Sequence, residues 1–104
     1  MVSECDRMMK AAIPAVRIAV ATLLSKKYLM SQKNIADRLG ITQASVNKYL
    51  NGRYSKKIME LVTLAKKSGS DAAIAGMVVS GKSLDYVNEK IDGAASSMYQ
   101  SLAS

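Results

Sequence analysis

Four side chains in a stretch of six residues, Gln43, Ala44, Asn47 and Lys48, could together read the edges of base pairs. Glutamine and asparagine can each form paired hydrogen bonds to N6 and N7 of adenine, alanine can contact the thymine methyl group, and lysine can reach guanine or a phosphate. Gln43 and Asn47 would share one face of a helix, since they are four residues apart. These four residues are the predicted base contacts, and they favour half-sites that contain A·T pairs. An ordinary solvated helix surface is the alternative for Gln43 and Asn47.

The segment that contains these residues, 31–52, has the spacing of a helix-turn-helix, in which one helix supports a second that can lie in the DNA major groove. Gly40 stands where the chain must turn after the first helix, and small Ala36 stands where the two helices approach most closely. Apolar residues occupy every position that this spacing requires to be buried, namely Ile35, Ala36, Leu39, Ile41, Val46 and Tyr49.

Capping residues delimit the two helices of this motif. Ser31 is placed to cap a helix over 32–39, and Thr42 to cap a second one over about 43–50. Gly52 is predicted to close the second helix in the left-handed conformation that glycine tolerates.

The positive charge of the chain is concentrated on the same segment. From Lys26 to Lys57 the sequence has eight basic residues and one acid, Asp37, which accounts for the whole formal charge of +7. A polyanion such as DNA is the natural partner of this distribution, because binding phosphates releases condensed counterions. A basic face that only keeps the protein in solution is the alternative. The predicted phosphate contacts lie at the ends of the motif and just beyond it: Gln32, Lys33, Thr42, Asn51, Arg53, Lys56 and Lys57.

The motif resembles the DNA-binding unit of the phage-repressor and Cro (XRE-like) family of transcriptional regulators. The longer stretch from Ile13 to Lys57 resembles a group of archaeal regulators of this type, in which a Pro-Ala-x-Arg helix precedes the motif and a short Gly-Arg or Gly-Lys-Arg segment follows it. The matching residues are Pro14, Ala15, Arg17, Gly52 and Arg53. The resemblance implies a sequence-specific, dimeric transcription factor. It also implies DNA-contact positions at Gln32, Gln43, Ala44 and Asn51.

The rest of the chain also has helical patterns, and no strand pattern interrupts them, so the fold class is predicted to be all-α. Ser3 is a candidate cap for a short first helix, and Pro14 is predicted to begin a new one that ends near Lys27. A fourth segment runs from Ser55 to about Lys67, a fifth from a cap at Ser70 or Asp71 to Val79, and the last from Ser83 to about Ser101. The predicted domains are 1–67, the helix-turn-helix domain, and 68–104, a C-terminal helical extension.

Apolar residues recur in the last helix at spacings near three and four, which makes a narrow seam typical of paired helices. The seam is predicted to join two copies of the chain, and packing of the last helix against its own domain is the alternative. Its members are Leu84, Val87, Ile91, Ala95, Met98 and Leu102.

Other classes of function have little support. The chain has no histidine and one cysteine, Cys5, so it lacks the commonest general base and any cluster of zinc-ligand spacing. No glycine-rich phosphate loop is present. We therefore expect no enzymatic activity, no metal and no cofactor, while a small-molecule effector is left undetermined. No apolar run approaches a membrane span, and no signal segment is visible, so we expect a cytoplasmic protein without membrane contact.

These observations favour a sequence-specific regulator of transcription, most simply a repressor, which binds double-stranded DNA as a homodimer. An adaptor that binds a protein of the transcription machinery, and an accessory factor in DNA processing, are the alternatives that use the same motif.

Overall fold

Six helices make up the structure, a computed structural model that describes the backbone of residues 4–103 and the side chains of residues 10–100. Between residues 4 and 103 there is no strand, which confirms the predicted all-α class. The helices are α1 (Glu4–Lys26), α2 (Gln32–Leu39), α3 (Gln43–Leu50), α4 (Lys56–Ser68), α5 (Ser70–Val79) and α6 (Leu84–Ala103).

Helix α1 lies in the middle of the fold and contacts each of the other five helices. A helix in this position must be apolar on most of its surface rather than along one stripe. Small and aliphatic side chains meet this need and allow the neighbouring helices to approach closely. From residue 10 onward, the buried residues of α1 are Ala12, Ala15, Val16, Ile18, Ala19, Val20, Ala21 and Leu24.

The sequence predicts that Pro14 begins a new helix. In the structure Pro14 instead lies inside α1. The prediction rests on local preference, because proline has no N–H to donate to the preceding turn. Packing overrides that preference here. Ala12 before the proline and Ala15 and Val16 after it are all at most 2% exposed, so both turns are held on the same core. The predicted cap Ser3 lies outside the described residues.

The turn between α2 and α3 forms as predicted. The Ser31 hydroxyl caps α2 by accepting a hydrogen bond from the Asn34 N–H at 3.2 Å. Gly40 ends α2 with φ +67, and the Ile41 N–H then reaches back to the Ala36 carbonyl at 3.0 Å. This pattern is a Schellman motif, which requires the left-handed conformation that Gly40 supplies. The side chain of Leu84, from α6, lies directly against Gly40.

Replacing Gly40 by alanine is expected to lower the free energy of unfolding by about 1–2 kcal/mol, because the left-handed conformation is strained for residues with a Cβ. The new Cβ would also stand 3.0 Å from Cδ2 of Leu84. Urea denaturation measures the change. Gly93→Ala is the control, since Gly93 lies exposed within α6 with no atom near its would-be Cβ. That variant should be more stable by about 0.5–1 kcal/mol. Equal effects of the two substitutions would contradict the assigned turn.

The predicted dimerisation seam is buried within the chain. Val87, Ile91, Ala95 and Met98 are at most 6% exposed and belong to the same core cluster as α1. The alternative, in which the last helix packs on its own domain, therefore describes the structure. Leu84 is 41% exposed and covers Gly40 instead of continuing the seam. The side chain of Leu102 lies outside the described residues.

Helices α5 and α6 are not separated from the predicted domain 1–67, because both pack against α1 in one hydrophobic core. The predicted break at residues 68–70 is a turn inside that single unit. Gly69, with φ +80, ends α4, and α5 begins at Ser70 without the predicted side-chain cap. The Ser68 hydroxyl takes the place of that cap by accepting a hydrogen bond from the Ser70 N–H at 3.3 Å.

Candidate nucleic-acid interface

Helix α3 presents one polar face to solvent and one apolar face to the core. Gln43, Ala44, Asn47 and Lys48 are all exposed, while Val46 is fully buried and Tyr49 half-buried against the core. Gln43 with Asn47, and Ala44 with Lys48, are separated by four residues and so stand one above the other along the helix. The structure thus places the four predicted base contacts on one accessible surface.

Thr42 fixes where this helix begins. Its hydroxyl oxygen accepts a hydrogen bond from the Ser45 N–H at 3.0 Å, and its hydroxyl proton is directed to the Ser45 Oγ at 2.9 Å. Thr42 therefore positions α3 in this structure, and its phosphate contact stays a prediction.

The end of α3 is fixed by a second Schellman motif. Gly52 has φ +69, its N–H donates to the Tyr49 carbonyl at 3.3 Å, and the Arg53 N–H donates to the Lys48 carbonyl at 2.9 Å. The Asn51 side-chain amide donates to the Asn47 carbonyl at 2.8 Å. Asn51 therefore caps α3 with one of its amide protons and keeps the second for a ligand.

Three cations follow this turn. Arg53, Lys56 and Lys57 are exposed, and the last two are the first residues of α4, which Ser55 caps by accepting from the Ile58 N–H at 3.2 Å. On α2, the predicted phosphate contacts Gln32 and Lys33 are likewise exposed in the first turn.

The first turns of helices α2 to α6 divide into two groups by charge. A helix N-terminus carries a partial positive charge that acidic side chains stabilise. Helices α5 and α6 follow this rule, with Asp71 and Asp85 in their first turns. Helices α2, α3 and α4 have no acid there, and α2 and α4 carry lysines instead. This arrangement is unfavourable for an isolated helix and favourable for binding an anion.

One basic residue of the segment has an internal role that the sequence did not reveal. Arg38 donates from Nη1 to the Val78 carbonyl at 3.3 Å and so ties α2 to the last turn of α5. Arg38 therefore belongs to the support of the motif. Spacing along the chain could not show this contact, because its partner is forty residues away.

Among the described residues, no group of three or more acidic, histidine or cysteine side chains is placed to hold a metal ion. The side chain of Cys5 is outside that set. No helix in the described part of the chain has the length and apolarity needed to cross a membrane.

Helices α2 and α3, with the turn between them, form a helix-turn-helix. Comparison with protein families agrees: residues 25–74 match the family model described as Helix-turn-helix. The match runs from the end of α1 to the middle of α5. The chain therefore contains a helix-turn-helix domain with further helices around it, whereas the likeness to archaeal regulators stays a prediction. The search of curated proteins gave no match, and neither did the search of solved structures.

Proposed function

We propose that the protein is a sequence-specific DNA-binding regulator of transcription, without enzymatic activity, which works in the cytoplasm. The observation that carries this proposal is the exposed polar face of α3, flanked by helix N-termini that have lysines where acids are usual. A groove-reading surface beside anion-attracting helix ends is the combination that duplex DNA requires.

The roles of the side chains follow from their positions. Gln43 and Asn47 form paired hydrogen bonds to adenine, Ala44 contacts a thymine methyl, and Lys48 reaches guanine or a phosphate. The phosphate contacts hold α3 in register but carry no sequence information. They are assigned to Gln32, Lys33, Thr42, Asn51, Arg53, Lys56 and Lys57.

The proposed active form is a homodimer, because a single small motif gains affinity when two copies bind half-sites about 34–36 Å apart. The second copy must use exposed side chains outside the α6 seam, since that seam is filled by α1. Repression is the simplest output, because occupying a promoter needs only DNA affinity.

Selection of bound sequences from a random duplex pool, combined with sedimentation of the complex, tests the proposal. We expect a palindromic consensus and two protein chains per duplex. A consensus without symmetry, bound by one chain, would overturn the dimer. Failure to bind random duplex at low salt would overturn DNA binding itself, and would favour an adaptor that contacts a protein.

Substitution of Arg53 or Lys56 by glutamine is expected to weaken binding to all duplexes alike. Each lost phosphate contact should reduce the slope of log K against log salt by about 0.9, because one fewer counterion site is released. Fluorescence anisotropy at several salt concentrations measures the slope. Lys66→Gln, at the far end of α4, is the matched control and should leave the slope unchanged. A slope that stays the same in the Arg53 and Lys56 variants would remove these residues from the interface.

A further inference from the structure

The loop between α1 and α2 is held at both ends. The Lys27 N–H donates to the Leu23 carbonyl at 2.8 Å, and the Met30 N–H donates to the Leu24 carbonyl at 3.0 Å. Met30 is half-buried against the core, and Leu24 is fully buried. The residues between these anchors, Tyr28 and Leu29, therefore have a defined position at the surface.

Leu29, at the tip of this loop, has an exposed side chain and a backbone conformation that are both unfavourable for the free energy of folding. Its side chain is 85% exposed, the highest value among the exposed large apolar residues in the described part of the chain. Its backbone has φ +53, where a residue with a Cβ is strained by about 1–2 kcal/mol. Strained, exposed residues that the core does not need cluster at binding sites. The position of Leu29 therefore indicates a contact outside the fold.

The sequence on both sides of Leu29 is cationic. Lys26, Lys27 and Lys33 are exposed, and the sequence has no acid between residues 26 and 36. The Lys27 ammonium lies 5.5 Å from the centre of the Tyr28 ring. A partner must then combine negative charge with apolar faces, and a nucleic-acid strand does so through its phosphates and deoxyribose rings.

The loop is continuous with the proposed DNA interface, because it ends at Ser31, the residue that caps α2. In a helix-turn-helix the first helix of the motif crosses the DNA backbone. We propose that this loop is a second DNA-contacting element, which lies on the strand beside the half-site. Lys26 and Lys27 bind phosphates there, and Tyr28 and Leu29 cover deoxyribose faces at the edge of the minor groove. The inference rests on the proposed function.

Leu29→Asn tests the apolar contact, because asparagine tolerates the left-handed conformation and removes the apolar side chain. Two duplexes are compared by fluorescence anisotropy: the selected sequence with long flanks, and the same sequence trimmed to the major-groove half-sites. We expect affinity for the long duplex to fall about tenfold, as for the loss of one buried aliphatic side chain. Affinity for the trimmed duplex should not change, and the unfolding midpoint should not fall.

The double variant Lys26→Gln/Lys27→Gln tests the charge contact. On the long duplex the salt slope should fall by about 1.8, which corresponds to two phosphates. The pair Lys66→Gln/Lys67→Gln is the matched control, since it removes two adjacent exposed lysines from the end of α4.

Three results separate the outcomes. In the first, Leu29→Asn binds both duplexes with wild-type affinity while Gln43→Ala loses specific binding. This result would overturn the loop contact and leave the proposed function intact. A change in sedimentation of Leu29→Asn without DNA would assign the loop to self-association and also overturn the inference. Equal affinity of the wild-type protein for selected and random duplexes would overturn the proposed function itself.

Discussion

The Gln43→Ala variant is expected to bind its selected duplex about 1–3 kcal/mol more weakly than the wild-type protein, which is roughly a 5- to 150-fold loss of affinity. Gln43 is exposed at the first position of α3, where its amide can meet an adenine with two hydrogen bonds. Affinity for random duplex should be unchanged, because phosphate contacts supply nonspecific binding. Anisotropy titrations with the two duplexes measure both values, and Asn47→Ala should behave in the same way.

Gln100→Ala is the matched control for this experiment, since it removes another exposed glutamine from a helix, α6, outside the motif. It should bind both duplexes as the wild-type protein does. Alanine is also the better helix former, so loss of binding by Gln43→Ala would not reflect unfolding. An equal loss on specific and random DNA would show that Gln43 reads no base.

The Ile91→Ala variant is expected to lose about 2–5 kcal/mol of unfolding free energy, because Ile91 is fully buried between α6 and the core. The loss should be the same at two protein concentrations that differ tenfold, since the contacts lie within one chain. Urea denaturation at both concentrations measures it, and sedimentation should show an unchanged association constant.

Leu64→Ala provides the comparison for that substitution. Leu64 is 38% exposed on α4, so its truncation should cost about 1 kcal/mol or less. If Ile91→Ala instead weakened self-association and left the folded chain as stable as before, the seam would be an interface between copies.

The helix-turn-helix could be predicted from sequence because its signals are local. Ser31, Thr42 and Ser55 each cap a helix within three residues of the N–H that they bind, and Gly40 and Gly52 each close one by a turn that needs positive φ. Such signals depend on near neighbours in the chain. The exposure of Gln43 and Asn47 follows from the same periodicity that buries Val46.

The features that the sequence did not predict depend on distant neighbours. Pro14 stays helical because the other helices surround α1, and Ile91 faces α1 rather than a second copy. The spacing of apolar residues in α6 shows that one face of the helix is buried. It does not show whether that face packs against the same chain or against a second copy. The sequence does not indicate the positive φ of Leu29. Asparagine or glycine, rather than leucine, is expected at a position with this conformation.

The lysines in the first turns of α2 and α4 have a consequence for the free protein. Without DNA, these cations repel the partly positive N–H groups at the starts of their own helices. Added electrolyte should screen this repulsion and raise the melting temperature of the protein alone. The same electrolyte should lower the melting temperature of the complex, since it competes for the phosphates. Salt thus raises the melting temperature of the free protein and lowers that of the complex. The difference between the two melting temperatures therefore decreases as the salt concentration rises.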